Sequence, residues 1–184
     1  MDNKQTHGRP FRLRNYDYSQ SGCYFVTFCT IHKSSILSQV ISAGQGNASA
    51  VGRGLAPGSP ALPMVYLSRI GSILKAQILA LPERFPVVIH HYVVMPNHCH
   101  ILLSIDEIEM PGASPRPTVH QIIGTCKSLT TRLANTADRT PGRVIFQTSF
   151  HDHIIRDEND FLIRWHYIDD NPAKWADDEY FCLS

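Results

Sequence analysis

Two histidines, His98 and His100, stand one residue apart directly after the turn-forming pair Pro96-Asn97. Residues i and i+2 of a β-strand point to the same face of a sheet. A strand here therefore projects both imidazoles together and turns Cys99 the other way. Two imidazoles side by side can bind one divalent metal ion. The spacing alone leaves a pair of hydrogen-bonded surface histidines equally open, and the turn followed by an apolar run favours the metal site.

A second pair, His151 and His153, flanks Asp152 just ahead of another apolar run. These histidines could be further metal ligands or a strand edge that contacts phosphates, and Asp152 could orient an imidazole as carboxylates do around metal sites. A strand edge with hydrogen-bonded histidines explains them equally well. Leu102 stands where nucleotide hydrolases of the histidine-triad type need a third histidine after the first pair, so that class does not fit.

Tyr167 and Asn171 lie four residues apart, which places them on one face of a helix. Tyrosines in helices mostly serve packing, and a phenol with an ordinary pKa of about 10 is almost wholly protonated at neutral pH. A metal ion on a phosphate would supply the polarisation that such a weak nucleophile needs. Asn171 could complete that metal site beside the first histidine pair, which would bring nucleophile and ligand together.

Three segments carry these residues in a fixed order along the chain, namely Met95–His100, Phe150–Arg156 and Tyr167–Pro172. Together they resemble the motifs of the single-tyrosine HUH transposases, and within that superfamily the chain most resembles the REP-associated tyrosine transposases. The resemblance extends from Tyr24 to Trp175, apart from the stretch Ser38–Pro63. Each segment alone would be a weak signal, but their order and spacing make the combination specific.

The resemblance implies a ferredoxin-like fold with the histidine pair on a central strand and Tyr167, the nucleophile, on a helix after the last strand. It implies a metal site of His98, His100 and Asn171, with Mg²⁺ or Mn²⁺ as the cofactor. The implied reaction cleaves single-stranded DNA, often beside a small hairpin. It gives a 5′-phosphotyrosine and a free 3′-hydroxyl that can rejoin ends without ATP. Relatives act as monomers or as homodimers with the tyrosine helix in trans, and the sequence leaves both open.

Five residues are the candidates for contacting DNA outside the chemical centre: Lys127, Arg132, Arg156, His151 and His153. They belong to a stretch, residues 111–156, that has six Arg or Lys against two Asp, whereas residues 157–184 have eight acids against two bases. A basic stretch can bind phosphates but is more commonly a solvated face. The net charge of +1 gives no sign of a protein that coats duplex DNA through many phosphate contacts.

The elements that must position these residues follow from hydrophobic periodicity. We predict a strand at Gly22–Thr30, helices at Leu67–Phe85, Thr118–Asn135 and Asn159–Asp170, a hairpin of Val87–Met95 and His98–Ile105, and a strand within Val144–Arg156, interrupted at Thr148-Ser149. The order β-α-β-β-α-β is the split βαβ pattern of ferredoxin-like α+β folds, here with an added C-terminal helix that carries the tyrosine. Ser38–Pro63 is rich in Gly, Ala, Ser and Pro without any period, which predicts a flexible insert.

The chain has 184 residues, 43% of them hydrophobic, which is enough for one sizeable core, so residues 1–184 are predicted to form a single domain. No window approaches the ~20 apolar residues of a membrane span, and the polar start has no secretory signal. We therefore expect a cytoplasmic, nucleoid-associated protein with no membrane partner. Five cysteines, an odd number without a C-x-x-C pair, speak against a disulfide scaffold or a zinc ribbon.

Three functions of different classes compete on this sequence. The first is a transposase-type enzyme that nicks and rejoins single-stranded DNA through Tyr167. The second is a non-catalytic protein that binds DNA hairpins, and the third is a metal-dependent phosphodiester hydrolase with water as the nucleophile. A binding-only relic would be expected to lose His98, His100 or Tyr167, and all three are present. A hydrolase would keep cutting after Tyr167→Phe, so that variant separates the remaining two.

Overall fold

A sheet of four antiparallel strands organises the chain in the computed structural model, which describes residues 22–41, 63–106 and 117–181. The elements are β1 (Gly22–Cys29), β2 (Ser38–Ile41), β3 (Met64–Leu67), α1 (Arg69–Leu79), β4 (Val87–Val94), β5 (His98–Ile105), α2 (Val119–Asp138), β6 (His151–Ile155) and α3 (Glu158–Asp170). The spatial order of the main sheet is β4-β5-β1-β6, with antiparallel neighbours throughout. This order and the α+β class confirm the ferredoxin-like prediction, because each split βαβ unit leaves room for one antiparallel strand between its two parallel strands.

One face of the main sheet packs against α1 and α2 and contains the larger hydrophobic core. Alternate residues of β1, among them Tyr24 and Phe28, point to this face and are wholly buried. Leu74 of α1 and Ile122 of α2 belong to the same core, and each lies on the apolar stripe that the helical period predicts. This core fixes the sheet as a rigid platform for whatever its opposite face carries.

The opposite face is covered only in part, by α3, and its core is much smaller. Phe25, Leu102 and Ile168 are its buried members. Asp157 begins α3 as its N-cap by accepting a hydrogen bond from the Asp160 backbone N–H. The helix ends at Asp170, just before Asn171-Pro172, where the sequence predicts the boundary. The incomplete cover leaves part of this sheet face free to form a site.

The two helices that pack on the larger core begin at capping residues. Thr118 starts α2 with a capping box, in which its hydroxyl accepts from the Gln121 backbone N–H while the Gln121 side chain accepts from the Thr118 N–H. Helix α1 begins at Arg69, two residues later than predicted, because Leu67 belongs to β3 and Ser68 caps the helix. The predicted hairpin of β4 and β5 is confirmed.

Two strands depart from the prediction. We predicted no strand within the insert, but Ser38–Ile41 pairs with Met64–Leu67 in a separate two-stranded sheet. This pairing is between segments distant in sequence, so the local pattern of either segment gives no sign of it. Residues 42–62, most of the predicted insert, lie outside the described residues. The last strand of the main sheet is β6, which begins after the predicted interruption at Thr148-Ser149. In the described part of the chain, no helix is long and apolar enough to cross a membrane.

Candidate metal centre and active site

The first histidine pair lies on β5, next to the centre of the main sheet, and is almost completely buried. His98 is 0% exposed and His100 is 1% exposed. Their rings stand side by side with centroids 4.6 Å apart, whereas Cys99 points into the core on the other face. The predicted alternation of the strand is therefore observed, and the pair faces the side of the sheet that α3 covers.

The tautomer of His98 is fixed by Asn97. The Asn97 amide nitrogen donates to the carbonyl oxygens of Lys33 at 3.1 Å and Tyr180 at 2.7 Å, which identifies the other side-chain atom as oxygen. That oxygen lies 2.9 Å from His98 Nδ1. Since an amide oxygen only accepts, Nδ1 of His98 carries the proton, and Nε2 presents a lone pair.

His100 is held in a similar way by the neighbouring strand. Its Nδ1 lies 2.7 Å from Thr27 Oγ1, because Thr27 of β1 is the register partner of His100. Burial lowers the pKa of His98 to about 4, and burial together with the neighbouring His98 lowers the pKa of His100 well below its ordinary value. Both imidazoles are therefore neutral at pH 7, which is the form that binds metals.

The Nε2 atoms of both histidines are buried and have no hydrogen-bond partner among the described residues. A buried polar atom without a partner normally costs free energy, and such atoms mark sites where an ion or water belongs. Asp178 supplies a third group at the same place: the ligating atoms of His98, His100 and Asp178 all lie within 4.8 Å of one another. Two neutral imidazoles and one carboxylate fit a divalent ion of the Mn²⁺ or Zn²⁺ kind.

Asp178 is the residue that sequence reasoning missed. It lies beyond α3 in the acidic segment Asp169–Glu179, which the sequence leaves open as a cover for the site or a solvated surface, without singling out any residue as a ligand. Its two carboxylate oxygens are held in place, one accepting from the Asn171 amide at 2.8 Å and the other from the Tyr180 backbone N–H at 2.7 Å. No periodic signal could have found it, because the contact depends on the path of the chain after Asn171-Pro172.

Asn171, the predicted third ligand, also lies at this centre. It is 2% exposed, and its Oδ1 makes no hydrogen bond of normal geometry to any described residue. Its amide nitrogen is the group that orients Asp178. The side chain is thus placed either to complete the donor set through Oδ1 or to position the carboxylate, and its role as a ligand stays a prediction.

Tyr167 stands at the rim of the same centre. Its ring contacts His100 edge-to-face with centroids 5.2 Å apart, and it contacts Phe25 in the same manner at 5.8 Å. Phe25 in turn stacks on His100 at 5.2 Å. The tyrosine is 36% exposed and lines a cavity, so part of its side chain is accessible while its ring contacts the buried imidazole.

The groups around Tyr167 shift the pKa of its phenol in opposite directions. Partial burial raises the pKa of its phenol, and the carboxylates of Asp178 and Glu179 act in the same direction, whereas Arg164 and Asn171 lower it. The phenol is therefore neutral at pH 7, and its proton must leave when the oxygen acts as a nucleophile. A cation bound at the histidine centre would offset the carboxylates.

A cavity of about 570 Å³ opens in front of Tyr167 and His100. Its walls come from β1, β6, α3 and the segment after α3. Two predicted DNA contacts, His151 and His153, line it on the β6 side, so the structure brings them to the same cavity as the tyrosine. They are not part of the metal cluster: His151 is exposed, and His153 Nε2 lies 2.7 Å from an Asp160 carboxylate oxygen.

The three basic candidates have different surroundings. Arg132 and Arg156 are exposed, and neither side chain has an ion-pair partner in the described residues. Lys127 is 9% exposed, and its ammonium donates to the carbonyl oxygens of Thr148 at 3.0 Å and Ser149 at 3.4 Å. Lys127 therefore ties the segment before β6 to α2, an intramolecular role that the sequence did not predict.

Comparison with known proteins identifies a solved structure with a similar fold. The chain matches no protein-family model. An uncharacterized protein of Haemophilus influenzae is 26% identical over 190 residues, which cover 95% of this chain and 93% of that protein. The solved structure of a REP-associated tyrosine transposase bound to a REP hairpin aligns with a TM-score of 0.52 at 17% identity, over 90% of this chain and 74% of the transposase chain. The chain therefore has the fold of a REP-associated tyrosine transposase.

Proposed function

We propose that this protein is a single-tyrosine HUH transposase that cleaves and rejoins single-stranded DNA through a 5′-phosphotyrosine at Tyr167. One observation carries the proposal: two buried imidazole nitrogens, without hydrogen-bond partners among the described residues, converge with the Asp178 carboxylate beside a partly exposed tyrosine. The predicted HUH pair and the tyrosine thus meet in space, in a fold shared with a tyrosine transposase.

His98, His100 and Asp178 would hold the divalent ion, with Asn171 completing or orienting the set. Such an ion would polarise the phosphate and stabilise the charge that develops on its oxygens. Both imidazoles are in the form that binds a metal ion, because burial keeps them neutral and Asn97 fixes the His98 tautomer. Mn²⁺ suits the imidazoles better than Mg²⁺, which prefers oxygen ligands.

Tyr167 would act as the nucleophile. Its phenolic oxygen forms a bond to phosphorus, the bond from phosphorus to the 3′-oxygen breaks, the phenolic proton passes to water in the open cavity, and the departing oxygen takes up a proton. The fragment on the 3′ side of the break stays on the enzyme, linked through its 5′-phosphate as a phosphodiester, so the reverse step can join it to another 3′-hydroxyl without ATP. The neutral phenol makes the step slow unless the phosphate is activated, which is why the adjacent ion site matters.

The substrate would be a single strand beside a hairpin, by analogy with the hairpin-bound transposase. Arg132 and Arg156 are the exposed cations available for its backbone, and His151 and His153 line the cavity where the strand would enter.

Since Tyr167 packs on His100 of its own chain, we place the nucleophile in cis. Mixing Tyr167→Phe with His100→Ala should then fail to restore activity, whereas recovery in the mixture would establish action in trans.

The decisive experiment incubates the protein with 5′- and 3′-labelled hairpin DNAs from its own genomic neighbourhood, with Mn²⁺, Mg²⁺ or EDTA. We expect a covalent protein–DNA species that requires metal and retains the strand on the 3′ side of the break. Tyr167→Phe should abolish it. Tyr66→Phe is the matched control, because Tyr66 is an exposed tyrosine on the two-stranded sheet, which is separate from the sheet that carries the histidine pair.

The alternatives give different outcomes. Hairpin binding with no covalent species in either metal would contradict the proposal and favour a non-catalytic binding protein. Cleavage that survives in Tyr167→Phe would instead identify a metal-dependent hydrolase.

A further inference from the structure

Arg164 lies on α3 one turn before Tyr167 and lines the same cavity. Its guanidinium lies over the ring of Phe25, with the central carbon 5.4 Å from the ring centroid. Phe25 also contacts His100 and Tyr167. A single aromatic ring therefore contacts the guanidinium, the candidate nucleophile and one histidine of the candidate metal centre.

The hydrogen-bonding capacity of Arg164 is largely open within the described part of the chain. None of its donors makes a hydrogen bond to another described residue, and its Nε is buried without a hydrogen-bond partner. Arg164 Nε forms an ion pair with the Asp160 carboxylate one turn earlier, at 3.4 Å and without hydrogen-bonding geometry, which leaves the terminal N–H groups of the guanidinium open. A planar guanidinium with free N–H groups beside a nucleophile matches the paired oxygens of a phosphate.

The other cation that lines the cavity is already committed. Lys33 donates from its ammonium to the Glu179 carbonyl oxygen at 3.2 Å and lies over the Tyr180 ring at 5.0 Å. It thus holds the segment after α3 in place. Arg164 is the lining cation whose hydrogen-bonding capacity is open to a ligand.

We propose that Arg164 binds a phosphate of the DNA strand next to Tyr167, either the scissile phosphate or one of its two neighbours. This inference rests on the proposed function, because it places the strand in the cavity of Tyr167. The stack on Phe25 keeps the guanidinium in one orientation, so little side-chain freedom is lost when the phosphate binds. Arg164 would also balance the carboxylates of Asp178 and Glu179, which otherwise repel the strand.

The test measures equilibrium binding of a labelled hairpin DNA in the Tyr167→Phe background, where the strand cannot be consumed. Arg164→Met should weaken binding about tenfold at low salt, as expected for one charge-assisted contact. It should also reduce the slope of log affinity against log salt by about 0.7, the value for one phosphate contact on a single strand. Arg164→Lys should keep the slope, since the positive charge is retained.

Arg84→Met is the matched control. Arg84 is an exposed arginine beyond α1, on the side of the sheet away from α3, and its guanidinium donates to the Ala80 carbonyl oxygen. Removing this charge should leave the salt slope unchanged. A structural defect in Arg164→Met would weaken binding without such a specific change of slope.

A second arm replaces the scissile phosphate and each neighbour in turn by a neutral methylphosphonate. At one of the three positions the substitution should weaken binding to the parent protein but not to Arg164→Met, because both changes remove the same contact. Additive losses at all three positions, or an unchanged salt slope, would overturn the inference. So would the absence of any DNA binding.

The two proposals fail in distinguishable ways. If the chain with Tyr167 intact forms no covalent species while the phosphate coupling to Arg164 persists, the proposed chemistry is wrong and the phosphate contact stands. If the covalent species forms but the coupling is missing, only the role of Arg164 is wrong.

Discussion

The two His-x-His motifs have the same spacing but opposite surroundings. His98 and His100 lie on β5, beside the middle of the sheet, buried and with their Nδ1 atoms held by Asn97 and Thr27. His151 and His153 lie on β6 at the sheet edge, where the first is exposed and the second lies against a carboxylate. An identical local pattern therefore becomes a candidate metal centre in one place and a cavity wall in the other, because burial and neighbouring strands decide which ring nitrogens stay free.

The largest expected effect contrasts the two motifs directly. His98→Ala or His100→Ala should weaken Mn²⁺ binding, measured by titration calorimetry, by about a hundredfold or more, because each removes a ligand from a site whose supporting contacts alone count for 10–100-fold. His151→Ala should change the affinity by less than about twofold. An equal loss in His151→Ala would place the second motif in the metal site and break the comparison.

Two helical glycines show the same dependence on surroundings, here in their expected effect on the free energy of unfolding. A Cβ on Gly71 of α1 would clash with the Leu37 carbonyl oxygen, whereas a Cβ on Gly124 of α2 would meet no described atom within 4 Å. Gly71→Ala should destabilise the fold by about 2–3 kcal/mol through overpacking, and Gly124→Ala should stabilise it by about 0.5–1 kcal/mol through helix propensity. Urea denaturation measures both, and stabilisation by Gly71→Ala would show that the contact of Leu37 with α1 relaxes freely.

The contacts behind the histidines sharpen the first comparison. Thr27→Val keeps the shape of the side chain but removes the hydroxyl beside His100 Nδ1, so Mn²⁺ affinity should fall about tenfold. Thr27→Ser retains the hydroxyl and should therefore keep most of the Mn²⁺ affinity of the parent protein. Asp160→Asn removes the carboxylate beside His153 and should leave metal affinity unchanged. If Thr27→Val binds Mn²⁺ normally, the hydroxyl does not orient the ligand.

The smallest effect concerns two basic residues of α2. Lys127→Met removes the ammonium from the Thr148 and Ser149 carbonyl oxygens and should lower the free energy of unfolding by about 1 kcal/mol. Arg132→Met should leave stability within about 0.5 kcal/mol, since its side chain is exposed. Weaker DNA binding in Lys127→Met at unchanged stability would mean that the ammonium leaves its carbonyls to bind the strand.

Much of the fold could be predicted because it depends on local periods. Alternation along a strand put His98 and His100 on one face and Cys99 on the other, and the spacing of four put Tyr167 and Asn171 on one side of α3. The order of elements indicated the sheet topology. Ser38–Ile41 escaped prediction because its strand depends on pairing with Met64–Leu67, not on its own sequence.

The sequence by itself determined the histidine pair and the frame that carries it, because both follow from the periods of single strands and helices. It indicated Tyr167 as the candidate nucleophile through the resemblance of three ordered motifs to a known family. Only the tertiary structure decided that Asp178 meets the pair, that Thr27 and Asn97 leave the Nε2 atoms free, and that Arg164 faces the cavity with open donors. These contacts join residues far apart in the chain. They depend on strand register and on the path of the segment after α3, for which short-range patterns contain no signal.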